Sequence, residues 1–177
     1  MPRAILALAL LVASIACGGA ACRPSGKVLV DLTDTFDTAR RQPNAASFAI
    51  ASVTLQGPPI RSIVAASQTR LTFHVTVTSS SFFRVFAGIH PDAWNDPRAA
   101  GLFLVGVSDG RAYRQAASVV VDPASHPADR QWREVRVDLR QYVGLTIDVV
   151  LNTRLAAGAP EHDVPHAVWG SPQVVSR

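Results

Sequence analysis

Apolar and polar side chains alternate in two consecutive segments within residues 130–153. In the first segment, Val135 and Val137 alternate with charged residues, which is the period of a β-strand with one buried and one solvated face. In the second, Ile147 and Val149 alternate with more polar neighbours. The segment therefore predicts two strands joined by a tight connection, and each strand has an inner face.

The same alternation recurs along the chain and predicts an all-β fold. Its clearest instance is Leu71 to Ser79, where threonines on the polar face favour a strand over a helix. Residues 102–107 are apolar on both faces, as in a central strand that is covered on both sides. We expect eight or nine short strands, with no long helical period after the first two dozen residues. This predicts a two-sheet antiparallel β-sandwich, or jelly roll, over residues 27–177.

The first residues of the chain predict export. Arg3 precedes an apolar run of about a dozen residues and a junction of small residues, which is the pattern of a signal peptide. The run is shorter than the roughly 20 apolar residues that a membrane-spanning helix needs. We assign residues 1–16 to a signal helix and residues 17–26 to a tether ahead of the sandwich.

Cys17 follows Ser14–Ala16 and resembles the lipidated cysteine of bacterial lipoprotein signals. The resemblance implies a lipid anchor and a place on the periplasmic side or the surface of a bacterial cell envelope. Cys22 is a second candidate for the lipid, and ordinary cleavage near Ala16 or Ala21 would instead release a soluble product. No cysteine follows position 22, so the sandwich has no disulfide and must depend on its core.

Charge is dispersed along the chain. The formal net charge is +4, Lys27 is the sole lysine, and Arg40 and Arg41 are the only adjacent basic pair. Nucleic-acid binders concentrate basic side chains on one face or in runs. We therefore expect no nucleic-acid partner, and the export signal argues for the same conclusion.

Several segments between residues 60 and 175 resemble the galactose-binding-like jelly rolls of bacterial envelope proteins, which include carbohydrate-binding modules. Trp132 precedes the sequence VDLRQYVG, and Trp169-Gly170 precedes Pro172 in the last predicted strand. The resemblance implies a non-catalytic module that binds a glycan or an envelope protein. A purely structural accessory domain without a ligand is the alternative, because the fold alone does not determine function.

Sugar binding needs exposed aromatic rings beside polar hydrogen-bonding groups. Trp94 lies in a polar loop and Tyr113 follows a predicted turn, so these are the candidate rings. Asp92, Asn95 and Arg98 are the candidate polar partners. For Trp94 the alternative is a lid residue that closes the core.

Residues 106–110 read Gly-Val-Ser-Asp-Gly and match the motif of a serine nucleophile. A small hydrolase could use Ser108 with a later aspartate and with His162 or His166. However, no alternation of strands and helices surrounds the motif, and Ser-Asp-Gly between two strands is an ordinary hairpin turn. We predict that the chain is not an enzyme; the hydrolase hypothesis requires a hydrogen bond between Ser108 and a histidine.

Oxygen-bearing side chains in loops raise the possibility of a structural calcium ion. Asp92, Asn95 and Asp96 share one loop, and Asp109 and Asp122 lie at predicted strand ends. Such oxygen ligands suit calcium, but the spacing matches no EF-hand and turn formation explains the same residues. The histidines show no zinc-binding spacing. We predict no cofactor and no metal, with calcium as the alternative.

Overall fold

The computed structural model describes residues 26–65, 68–156 and 166–177. The predicted signal peptide, nearly all of the tether, Cys17, Cys22 and His162 lie outside the described residues. Within them, every helical element is a short 3-10 turn, as expected for an all-β chain. No helix in this part of the chain has the length and hydropathy needed to cross a bilayer.

The described residues contain eleven β-strands, more than the eight or nine that the sequence predicted. They are β1 (Val28–Asp31), β2 (Arg40–Gln42), β3 (Phe48–Val53), β4 (Ile60–Ala65), β5 (Thr69–Thr76), β6 (Ser81–Ile89), β7 (Gly101–Ser108), β8 (Tyr113–Val121), β9 (Arg133–Asp138), β10 (Thr146–Leu155) and β11 (Ala167–Ser176).

The strands form two sheets in which every pairing is antiparallel. One sheet has the order β3-β4-β11-β6-β9, with β1 paired to β11 as a sixth strand. The other has the order β2-β5-β10-β7-β8. The predicted two-sheet antiparallel β-sandwich is therefore confirmed.

The core lies between the sheets and is filled by the alternating apolar residues. Phe73, Phe83 and Phe103 are each 2 % exposed or less, and Trp169 is 1 % exposed. The Trp169 ring meets Phe103 edge-on at 4.9 Å, and its indole N–H donates to the buried Thr153 hydroxyl at 3.1 Å. This hydrogen bond satisfies a polar group that burial would otherwise penalise.

A second apolar cluster lies on the outer face of the six-stranded sheet. Val53, Leu55 and Val168 are buried there, and the half-buried Trp132 packs against them. Glycine makes room for the ring, since a Cβ on Gly170 would lie 2.9 Å from Trp132 Cζ3. The chain therefore covers this outer face with its own side chains.

The connection from β9 to β10 has the predicted form. A 3-10 turn, Arg140–Tyr142, follows β9, and Gly144 has the left-handed φ of +84° that ends it. The Asp138 carboxylate accepts the Arg140 backbone N–H at 3.0 Å.

The region before β3 differs from the prediction. A short turn, Phe36–Thr38, precedes β2 there, and the alternation of the sequence does not predict this strand. β2 pairs with β5 at the edge of the five-stranded sheet. Its three polar residues carry no alternation, so only main-chain pairing defines it.

Candidate functional site

The outward side chains of the five-stranded sheet form a continuous surface, which we call the five-stranded face. Leu71 and Phe73 point into the core, so Arg70, Thr72 and His74 of β5 point outward. The strand register extends this surface across β10, β7 and β8. Its remaining outward residues are Arg40, Gln42, Thr76, Leu102, Leu104, Gly106, Ser108, Tyr113, Gln115, Ser118, Val120, Thr146, Asp148, Val150, Asn152 and Arg154.

Tyr113 is the exposed aromatic ring of the five-stranded face. It begins β8, and its ring occupies the space above Gly106, so that any Cβ at that position would collide with the ring. The Arg70 guanidinium lies 5.5 Å from the ring centroid, within cation–π range. Val150 of β10 faces outward between β5 and β7, yet it is only 1 % exposed. Tyr113 itself remains 47 % exposed, so the ring is held in place and still accessible.

An imidazole and a carboxylate lie in the same cross-strand row as Tyr113. The register aligns His74, Asp148, Ser108 and Tyr113 across four strands. His74 Nδ1 lies 2.5 Å from Asp148 Oδ1, and 72 % of the His74 side chain is exposed. The row therefore offers polar groups beside an aromatic ring.

The same row bears on the hydrolase hypothesis. Asp148 lies between Ser108 and His74, so the histidine is two strands, about 10 Å, away from the serine. The Ser108 hydroxyl instead accepts the Gly110 backbone N–H at 3.3 Å in the turn between β7 and β8. Of the two histidines in the hypothesis, His166 lies beside His90 and His162 is outside the described residues. Among the described residues, no histidine is hydrogen-bonded to Ser108.

A polar groove opens at one end of the five-stranded face. It encloses about 490 Å³, and its lining includes Arg70, Arg154, Asn152, Gln42 and Gln68. Arg70 belongs both to this groove and to the contact with the Tyr113 ring. The groove and the aromatic ring are therefore parts of one surface.

Trp94 lies elsewhere, in the loop after β6. Its indole N–H donates to the Ile89 carbonyl at 2.8 Å, and the half-buried ring packs against both apolar clusters. Arg130 lies 5.9 Å from the ring centroid and donates to the Asn95 side-chain oxygen at 3.1 Å. These contacts favour the interpretation of Trp94 as a lid on the core.

Asp92 and Arg98 belong to the same loop as Trp94. Asp92 Oδ2 lies 3.3 Å from His90 Nδ1. The Arg98 guanidinium donates to the Asp96 carboxylate at 2.7 Å, and this hydrogen bond raises the pKa of Arg98. The structure therefore gathers Asp92, Trp94, Asn95 and Arg98 in one loop and places Tyr113 on a different surface.

The residues considered for calcium act in turns. The Asp109 carboxylate accepts the backbone N–H groups of Ala112 and Arg111, each at 2.9 Å, and these bonds lower its pKa. Asp122 accepts the Ser125 backbone N–H at 3.0 Å. In the described ranges, no three His, Cys, Asp or Glu residues are grouped so as to hold a metal ion.

Sequence reasoning missed most of the polar residues of the five-stranded face as site residues. Alternation in β5 does place His74 outward, and it would place Arg70 outward in the same way. It does not reveal that β10 and β7 lie beside β5, so Asn152 and Arg154 could not be grouped with them. That grouping depends on strand order.

No protein-family profile matches the chain. One curated protein of Archaeoglobus fulgidus, described as uncharacterized, is 26% identical over 103 residues. The match covers 56% of this chain and 25% of that protein, so the chain spans about a quarter of its curated relative.

Solved structures with a similar fold include carbohydrate-binding modules. The family 22 module of Clostridium thermocellum Xyn10B gives a TM-score of 0.53 at 11% identity and covers 86% of this chain and 96% of that chain. A family 61 module in complex with β-1,4-galactotriose gives 0.51 at 13%, with coverage of 88% and 97%. A family 51 module of Clostridium perfringens ZmpB, in complex with GlcNAc, gives 0.51 at 15%, and covers 78% of this chain and 27% of that chain. The fold is therefore a jelly-roll β-sandwich like that of these modules, in agreement with the fold that the sequence resemblance implied.

Proposed function

We propose that this chain is a non-catalytic carbohydrate-binding module whose glycan lies on the five-stranded face against Tyr113. The observation that carries the proposal is Tyr113, which is 47 % exposed while its ring lies over Gly106, with the Arg70 guanidinium 5.5 Å from the ring centroid. A sugar presents apolar C–H groups on one side of its ring, and a rigid aromatic surface buries them at little cost in side-chain entropy. The likeness of the fold to carbohydrate-binding modules supports the proposal.

Polar groups around the ring match the hydroxyls of a sugar. The Asp148 carboxylate accepts hydrogen bonds, and the amides of Gln115 and Asn152 both donate and accept. All three point outward on the five-stranded face, and Asn152, which is 7 % exposed, lines the polar groove beside Arg70. Sugar hydroxyls need both donors and acceptors, so this set can fix the orientation of a ring stacked on Tyr113.

The loop of Asp92, Trp94, Asn95 and Arg98 is the competing position for a glycan. There the indole N–H is already bonded to Ile89, and the ring is half-buried against the core. A stacking surface must be accessible over most of one side, so Tyr113 meets the requirement better than Trp94.

A glycan-array screen of the purified chain, followed by calorimetric titration of the best ligand, tests the proposal. We expect Tyr113→Ala to weaken binding by roughly five- to 150-fold, because stacking on an aromatic side chain contributes about 1–3 kcal/mol for a nucleic-acid base, and we expect a similar range for a sugar. Tyr113→Phe keeps the ring and should bind normally. Val143→Ala is the matched control, since Val143 is 48 % exposed and lies off this face. Failure to bind any glycan, or normal binding by Tyr113→Ala, would refute the proposal.

We further propose that the chain is exported and held at the bacterial envelope by a lipid on Cys17. The signal-like pattern of residues 1–16 supports this proposal. Mass spectrometry of the native N-terminus tests it, with an acylated Cys17 as the expected result. An N-terminus at residue 17 or 22 without acyl chains would instead indicate a soluble exported protein.

An envelope protein is the alternative partner for the five-stranded face. Binding to an envelope protein that persists in Tyr113→Ala, with no glycan binding by the unmodified chain, would favour this alternative.

A further inference from the structure

Arginines outnumber carboxylates on the five-stranded face. Its outward residues include Arg40, Arg70 and Arg154, whereas Asp148 is the sole carboxylate among its described residues. That carboxylate is already in contact with His74. The face therefore has an excess of positive charge beside the exposed ring of Tyr113.

The three arginines of this face form no ion pair among the described residues, which is also true elsewhere of Arg41, Arg84, Arg111, Arg114 and Arg130. Within the described residues, no carboxylate oxygen lies within 4.0 Å of the Arg40, Arg70 or Arg154 guanidinium. On other surfaces many arginines form ion pairs, and these are Arg61–Asp34, Arg98–Asp96, Arg133–Asp129, Arg136–Glu134, Arg140–Asp138 and Arg177–Asp138. Arginines without a carboxylate beside a groove are available to an anionic ligand.

Two of these arginines can reach one ligand group. Asn152 is the cross-strand partner of Arg70, and Arg154 lies two residues further along β10, on the same face. Such diagonal positions are about 7–8 Å apart at their Cα atoms, a span that two long side chains close easily. Both line the polar groove of about 490 Å³, and the amides of Gln42 and Asn152 add further donors there.

We propose that the glycan on this face is anionic, and that Arg70 and Arg154 bind one of its carboxylate or sulfate groups in the groove. The planar guanidinium forms two parallel hydrogen bonds with such a group, and these are stronger than bonds between neutral groups. Arg70 also contacts the Tyr113 ring, so a charged group in the groove and a sugar on the ring belong to adjacent units of one chain. This inference rests on the proposed function of the same face.

Pairs of acidic and neutral polymers separate the contribution of the ligand's charge to binding from that of its sugar units. The purified chain is titrated with polygalacturonate and with the same polymer after reduction of its carboxyl groups. Dextran sulfate and dextran form the second pair, which distinguishes sulfate from carboxylate. We expect at least one acidic polymer to bind tenfold or more tightly than its neutral counterpart. We also expect this preference to shrink as salt screens the exposed charges.

Arginine variants distinguish a site from general attraction to a basic protein. Arg70→Gln and Arg154→Gln should each lower the affinity for the acidic polymer roughly tenfold, because each variant loses a hydrogen bond to a charged group. Arg114→Gln is the matched control, because this substitution removes the same charge. Arg114 follows Tyr113 on β8, so its side chain lies on the opposite side of the strand from the five-stranded face.

The outcomes separate this inference from the proposed function. Equal binding of acidic and neutral polymers that still depends on Tyr113 would overturn the inference and leave the proposed function intact. An equal loss in Arg114→Gln and Arg70→Gln would show general attraction and overturn the site. No binding of any polymer or arrayed glycan would overturn both.

Discussion

Each outer face of the sandwich has an aromatic ring packed against a glycine, but the two rings differ in exposure. On the six-stranded sheet the Trp132 ring lies against Gly170, and on the five-stranded sheet the Tyr113 ring lies over Gly106. In each case a missing Cβ lets an aromatic ring approach the sheet. Trp132 is half-buried, whereas Tyr113 is 47 % exposed. The neighbours of each ring account for this difference.

Apolar side chains surround Trp132. Phe86 meets its ring edge-on at 6.4 Å, and Val53 and Leu55 complete a dry cluster. Its buried indole N–H has no acceptor among the described residues, so the ring contributes through apolar contact. By contrast, the Arg70 guanidinium and polar neighbours surround Tyr113. A ring over glycine therefore stabilises the fold where apolar groups enclose it, and it is available to a ligand where they do not.

Removing each ring is the strongest test of this comparison. We expect Trp132→Ala to lower the free energy of unfolding by about 3 kcal/mol, because it leaves a cavity in an apolar cluster. Tyr113→Ala should cost no more than about 0.5 kcal/mol, as is usual for an exposed position. Urea denaturation of both variants measures the difference. Similar losses in the two variants would show that Tyr113 also holds the fold together.

Adding a methyl group beneath each ring should separate stability from binding. In Gly170→Ala the new Cβ would lie 2.9 Å and 3.0 Å from Trp132 ring atoms, and enclosed groups cannot move away freely. We expect a loss of about 1–2 kcal/mol in the free energy of unfolding, as in other overpacked sites. In Gly106→Ala the Tyr113 ring can turn into solvent, so stability should change little while glycan affinity falls. Urea denaturation and glycan titration of both variants measure the two effects. Normal glycan binding by Gly106→Ala would contradict the placement of the ligand on the Tyr113 ring.

The sequence predicted the strands and the core better than it predicted the candidate site. Alternation identified β5, β9 and β10, because burial between two sheets imposes a period of two on the apolar residues. β2 was missed, since an edge strand of three polar residues is defined by main-chain hydrogen bonds that leave no pattern.

The candidate site depends on contacts between distant parts of the chain. Tyr113 was predicted as a sugar-binding ring because it follows a turn, and the structure places it on an exposed face. Its contact with Arg70, however, requires the pairings of β5 with β10 and of β10 with β7 in addition to the β7–β8 hairpin, and no local pattern specifies those two pairings. The burial of Val150, which faces outward, has the same origin. Trp94 was predicted as a second sugar-binding ring because it lies in a polar loop, with a lid on the core as the alternative, and its indole N–H bonds to Ile89 while its ring packs on the core.

A smaller expected effect tests whether Trp94 stabilises the fold or binds the ligand. Trp94→Phe keeps an aromatic ring but removes the 2.8 Å hydrogen bond to the Ile89 carbonyl. We expect a loss of about 1 kcal/mol in the free energy of unfolding, the usual net contribution of such a bond. Glycan affinity should stay within twofold of the unmodified chain. A large loss of affinity with unchanged stability would move the binding site to the loop after β6.

The smallest expected effect concerns charge on the six-stranded side. Hydrogen bonds from the Arg140 side chain and backbone N–H lower the pKa of Asp138 from an ordinary 3.8 to about 2. A carboxylate whose pKa is lower in the folded state stabilises the fold above the ordinary value, and this contribution is lost as pH falls through about 2. The Asp138 side chain is 41% exposed, and such surface pairs contribute at most about 1 kcal/mol because solvent screens them. Asp138→Asn should therefore lower stability slightly at neutral pH and flatten its dependence between about pH 4 and pH 2, as measured by urea midpoints across that range. If the variant instead lost as much stability as Trp132→Ala, ion pairs at the sheet edge would matter as much as the apolar cluster on its outer face, and the contrast between the two faces would need a different explanation.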